Sequence, residues 1–200
     1  RLTRTLGLMN PTDLRSQTLH RFTAWSLQPN SSLPLLEPVA DLHPKSAVEV
    51  ARRAIAAGYV AAACFGASPA RLRSDLKNLQ LWDALSAEEQ AFLNDLTPSA
   101  EQKHFHGWLI ESIHFMAWTL DLVELEHFEP CAPTLAGLFP RAGEDPGRFV
   151  ASASLRPLSQ LMQEADTLYM LHWAAVEANL LGESNERLVL PRFSFRRHAA

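Results

Sequence analysis

The segment from Trp108 to Leu125, inside HFHGWLIESIHFMAWTLDLVELEHF (104–128), carries apolar side chains around most of a helical circumference. At about 100° per residue such a helix has no polar face to turn to water, so other elements must enclose it. Thr97-Pro98 marks a start and Pro130 a stop, and the spacing predicts one long helix between them. Two capping boxes, Ser46 with Glu49 and Ser86 with Glu89, open further helices, because each side chain satisfies a backbone donor of the other. Ser68 before Pro69 opens another, and Gly66 and Gly182 are placed to end helices.

RPLSQLMQEADTLYMLHWAAVEANLLG reads as a second long helix, NPTDLRSQTLHRFTAWSL as an early one capped by Thr12 or Asp13, and a short one begins after Pro191. RLVLPRF is the one stretch that could make a short strand. The expectation is an all-α, single-domain bundle over 1–200, with about six to eight unequal helices around a central buried helix. Irregular connections are expected at about 28–45 and 130–155, the second with one helical turn at Thr134 to Phe139.

Composition narrows the function classes. A chain of 200 residues that is 47% hydrophobic and 20% charged can bury an ordinary core. A formal net charge of -4 supplies no basic field, which argues against nucleic acid as a partner. The one local basic cluster, Arg192, Arg196 and Arg197, reads as a solvated helix face. No apolar run is long enough for a membrane span and no signal-peptide pattern opens the chain, so a cytoplasmic protein away from the membrane is expected. Residue 1 is an arginine, which leaves a preceding leader open. Cys64 and Cys131 have no CxxC spacing, and Cys64 in YVAAACF reads as a small buried apolar side chain.

Two Glu-x-x-His units, Glu111 with His114 and Glu124 with His127, suggest carboxylate-bridged metal chemistry. On one continuous helix, units that begin 13 residues apart point to nearly opposite faces, so they cannot serve one site. No metal and no cofactor is assigned; His104, His106 and His114 are the residues near which a lone ion remains open. Glu111 itself lies on a face with Trp108, Phe115 and Trp118, where a bare carboxylate costs several kcal/mol. It requires a partner, and Arg52, Arg53, Arg156, His172 and the Trp173 indole N–H are the candidates.

No Gly-x-Ser-x-Gly, Ser-x-x-Lys or glycine-rich phosphate loop occurs. In the late helix Asp166, Tyr169 and Trp173 share one face, with His172 beside them. Read as chemistry, they form an acid–base set in a pocket; read as structure, they form a buried polar network that locks two helices.

Taken in order, SAVEVARRAIAAGYVA, LWDALSAEEQAFL, GWLIESIHFMAWTLDLVE, LRPLSQLMQEADTLYMLHWAA and VLPRFSFRRHAA resemble the uncharacterised bacterial family known as domain of unknown function 4272. The resemblance covers the chain from about Thr12 onward. Its pattern is matched by Glu49 and Arg53; by Trp108, Glu111 and Trp118; and by Arg156, Asp166, His172 and Trp173. Met170 stands where the family often has a basic residue, and the family's C-terminal tryptophan has no counterpart here. The resemblance implies a helical domain and brings no activity.

Two functions are therefore expected as alternatives. The first is a non-enzymatic bacterial interaction protein that binds another protein, with toxin neutralisation, an immunity role, as one concrete form. The second is a hydrolase-type enzyme that uses Glu111, Asp166 and His172 between the two long helices. Neither composition nor spacing fixes the oligomeric state.

Overall fold

A computed structural model describes residues 10–38, 41–183 and 185–200. Among these residues there is no strand, and the chain is all-helical. The early helix α1 (Pro11–Ala24) starts at Asn10, whose side chain accepts from the Thr12 N–H; neither Thr12 nor Asp13 is the cap. Both expected capping boxes form, Ser46 with Glu49 at the start of α2 (Ala47–Cys64) and Ser86 with Glu89 at the start of α4 (Ala87–Asn94). Between them α3 (Pro69–Asn78) follows Ser68, although the serine hydroxyl makes no cap bond.

The expected long helix from Thr97 to Pro130 is shorter and divided. It opens at a third capping box, Ser99 with Gln102, runs as α5 (Ala100–Gly107), and continues past Trp108 as α6 (Leu109–Thr119). It ends there because Asp121 takes a left-handed conformation (φ 60°), and the Leu122 N–H closes on the Ala117 carbonyl at 2.9 Å. That is a Schellman-type stop with aspartate in place of the usual glycine. Arg156 completes it: its backbone N–H donates to the Thr119 carbonyl (2.9 Å) and its Nε to the Trp118 carbonyl (2.7 Å). The apolar run through Leu125 concealed this stop, since nothing local marks it except an aspartate.

Beyond α6 the chain is irregular, with a 3-10 turn at Leu135–Leu138 and a further helix, α7 (Gly147–Ser152), inside the connection expected at about 130–155. α8 (Leu158–Leu181) ends at Gly182 (φ 67°) as expected. RLVLPRF forms no strand: α9 (Leu190–Ala199) begins one residue before Pro191.

Of the eleven residues of α6, ten are buried, so the expected central helix is present over this shorter span. α6 packs on α2 through small side chains, Ala54, Ala57 and Ala61 against Ile113, Met116 and Ala117. A second cluster joins α2 to α3 and α4 through Ile55, Tyr59, Leu76 and Phe92. A third gathers Phe22, Phe115, Trp118, Leu168, Leu171 and Phe193 from α1, α6, α8 and α9. α9 thus lies against both α6 and α8.

Candidate functional site

The carboxylates that sit on apolar faces each have an arginine. Glu111 is 2% exposed and lies between two guanidinium groups of α9. Arg196 Nε donates to Glu111 Oε2 at 2.9 Å, and Arg192 Nε donates to Oε1 at 3.4 Å. None of the partners expected for Glu111 is used. The arginines expected to form a solvated face include two of the buried residues of the molecule; only Arg197 remains exposed, over the Tyr169 ring. One helical turn separates Arg192 from Arg196, so both point the same way.

Arg196 also binds the irregular segment after α6. Its Nη1 donates to the Glu126 and His127 carbonyls and its Nη2 to the Glu129 carbonyl, all at 2.9 Å, while Arg192 Nη1 donates to the Phe128 carbonyl. The first Glu-x-x-His unit therefore surrounds Arg196, with His114 Nδ1 3.2 Å from its Nη2. Burial, and then the charge of Arg196, hold the His114 imidazole below its ordinary pKa. The second unit is not helical: Glu124 pairs with Arg156 at 3.0 Å and His127 with Glu164 at 2.6 Å. The two units do stay apart, but helical phase is not the reason.

The same arrangement recurs. Asp166, 1% exposed, receives Arg15 Nε (3.1 Å) and Nη2 (2.9 Å), and Arg15 also donates to the Leu33 and Pro34 carbonyls of the segment after α1. Glu89 receives both terminal nitrogens of Arg53 at 2.6 Å, and Arg53 Nη1 reaches the Ala84 carbonyl. In each case a guanidinium with donors to spare joins a buried carboxylate to carbonyls that no helix satisfies. Glu49 is different; it is exposed and serves the Ser46 capping box.

Glu111, Asp166 and His172 are consequently not one cluster. Glu111 is held by α9, Asp166 by α1, and His172 Nδ1 lies 3.2 Å from the Ser194 hydroxyl. The Trp173 indole N–H has no hydrogen-bond partner among the described residues. His104 accepts from the Trp108 indole at 3.4 Å, and His106 packs tilted against Phe92 with ring centres 4.3 Å apart. Among the described residues no three His, Cys, Asp or Glu side chains are grouped to hold a metal ion. Cys64 and Cys131 are half-buried, and burial pushes both thiols up, away from the reactive thiolate.

Glu111, Asp166 and His172 line neither of two prominent concavities among the described residues. The larger, about 1070 Å³, is an open groove between α2, α4, α5, α6 and α9. Val50, Phe105, Leu109, Met116 and Phe195 supply its apolar surface, with Phe105 52% exposed. The smaller, about 520 Å³, lies between α1, the start of α8 and the segment after α6. Its wall holds an ionic chain around the buried Glu164 that the sequence reading missed: Arg21 Nη1 meets Glu164 Oε2 at 2.8 Å, and His127 meets Glu164 Oε1 at 2.6 Å. Burial alone would raise the Glu164 carboxyl, but His127 and Arg21 outweigh it and hold the group below the ordinary range. Only the Glu124-x-x-His127 spacing hinted at these residues.

The chain belongs to the family described as Domain of unknown function (DUF4272), whose sequence profile matches residues 15–200. No curated protein and no solved structure matches the chain.

Proposed function

We propose that this protein acts by binding another protein through the groove between α2, α4, α5, α6 and α9, and that neutralising a bacterial toxin is the concrete form of that role. The exposed Phe105 carries the proposal. An aromatic ring 52% open to solvent, edge-on to Phe195 at 5.4 Å, stands in a groove with an apolar floor and a charged rim. That is the layout of a binding patch, where a buried aromatic anchor is surrounded by polar groups that exclude water.

The rim indicates the chemistry of the partner. Glu49, Asp83 and Glu88 outnumber Lys45 and Arg52, while Arg53 and Glu89 neutralise each other. Together with the net charge of -4, this favours a partner element with apolar side chains flanked by basic ones. The hydrolase alternative has no comparable support, because Glu111 and Asp166 are already paired and His172 lies at neither concavity.

A photo-crosslinking residue placed at position 105 tests the reading, with the same residue at Leu180, 77% exposed on α8, as control. The expected result is one basic partner captured from position 105 and not from 180, and lost when Val50→Glu is added. Equal capture from both positions, or capture that survives Val50→Glu, contradicts it.

A further inference from the structure

The smaller cavity is separate from the docking groove and does not depend on it. It is at least as open to solvent as that groove, and its volume of about 520 Å³ lies within the range of small-molecule clefts, roughly 300–1,000 Å³. Trp118 and Leu125 provide an apolar surface, and two guanidinium groups, Arg21 and Arg156, line it as well. Each arginine has donors left over. Arg21 uses Nη1 for Glu164 and Thr167, and its Nε and Nη2 make no hydrogen bond among the described residues. Arg156 uses Nε and Nη2 at the end of α6, which leaves Nη1 without a protein acceptor there.

These arginines are held in place before any ligand arrives. Glu164, 4% exposed and braced by His127, fixes Arg21; the Trp118 and Val123 carbonyls fix Arg156. Such preorganisation is what makes charge-assisted recognition efficient, since little side-chain freedom is lost on binding.

We propose that this cavity binds a small organic monocarboxylate, its carboxylate received by the spare donors of Arg21 and Arg156 and its apolar body resting on Trp118 and Leu125. The charge count sets the class. Three carboxylates face the two arginines: Glu164 on Arg21, and Asp121 with Glu124 on Arg156, the last two largely exposed and screened by water, so a dianion such as phosphate is repelled, whereas a single negative charge can be met by the open N–H groups.

The test is a titration of the ¹⁵N-labelled full chain with phenylacetate, with 2-phenylethanol and inorganic phosphate as comparators. Saturable amide shifts confined to Gln160, Glu164, Leu125 and their neighbours are expected from phenylacetate and not from the neutral alcohol. Arg21→Gln should weaken binding by about tenfold or more, the size of a lost charge-assisted hydrogen bond. Leu125→Trp, which fills the cavity with a larger ring and removes neither arginine, should abolish it. Absence of saturation, shifts unaffected by Leu125→Trp, or phosphate binding as tightly as phenylacetate each overturn the proposal.

Discussion

Arg196 Nη2 lies 2.8 Å from Glu111 Oε2, and both side chains are buried where α6 meets α9. The pair does more than neutralise one charge. Arg196 spends its remaining donors on three backbone carbonyls between Glu126 and Glu129, so a single buried guanidinium fixes a helix, its neighbour and an eleven-residue irregular stretch, 120–130. A buried ion pair adds little net stability over an apolar pair, yet removing one member is costly because the other charge stays buried.

Arg15 should hold the 28–38 segment as Arg196 holds the segment after α6. Arg15→Met frees the Leu33 and Pro34 carbonyls and leaves Asp166 bare. Hydrogen exchange should then quicken across 28–38 before it does so in α2 or α6, because local opening follows the lost anchor. Uniform protection in the variant contradicts this role.

Arg53 is a milder case. Its two contacts to Glu89 are short, but its side chain is 32% exposed, so solvent screening reduces their worth. Arg53→Lys cannot span both carboxylate oxygens and the Ala84 carbonyl at once. A loss of about 1 kcal/mol is expected, which for a chain of this size lowers Tm by roughly 2–4 °C. A Tm equal to wild type by circular dichroism argues that one contact suffices.

Stability should fall in two stages on acidification. Burial holds the His106, His114 and His172 imidazoles below their ordinary value of 6.5, so the unfolded chain takes up protons first, and stability declines as pH drops below 6.5. Glu89 and Glu164 follow. Burial would raise them, but Arg53 for the first, and His127 with Arg21 for the second, bring them below 4.5. Their contribution is present above 4.5 and is lost as pH falls through the folded values. His106→Leu keeps the contact with Phe92 apolar and removes one proton acceptor. Urea midpoints at about pH 7.5, 6 and 5 should show a shallower first stage in this variant; an unchanged slope assigns that stage to other groups.

Much of the fold was legible because helix starts are written locally. Ser46, Ser86 and Gly182 each signal through their own chemistry, and the apolar circumference of 109–119 reveals burial without any structure. The end of α6 was not legible, because Asp121 in a left-handed turn resembles any other polar residue in a helical run. The same limit applied to the partners. Glu111 announced that it required a cation, but Arg192 and Arg196 lie 81 and 85 residues away on a helix that looks solvated in isolation. Two arginines one turn apart match a carboxylate with two oxygens to fill, and that spacing is the one local signal of the pairing. The ionic chain from Arg21 through Glu164 to His127 joins three segments, and no local pattern could assemble it.

Urea unfolding of Glu111→Gln tests most directly the claim that the carboxylates on apolar faces hold the fold together. The amide keeps the shape and removes the charge between Arg192 and Arg196. The expected result is a native-like helical spectrum, an unchanged m-value and a loss of about 3 kcal/mol in unfolding free energy. A variant within about 0.5 kcal/mol of wild type would contradict the claim, since that is the range of substitutions that touch nothing important.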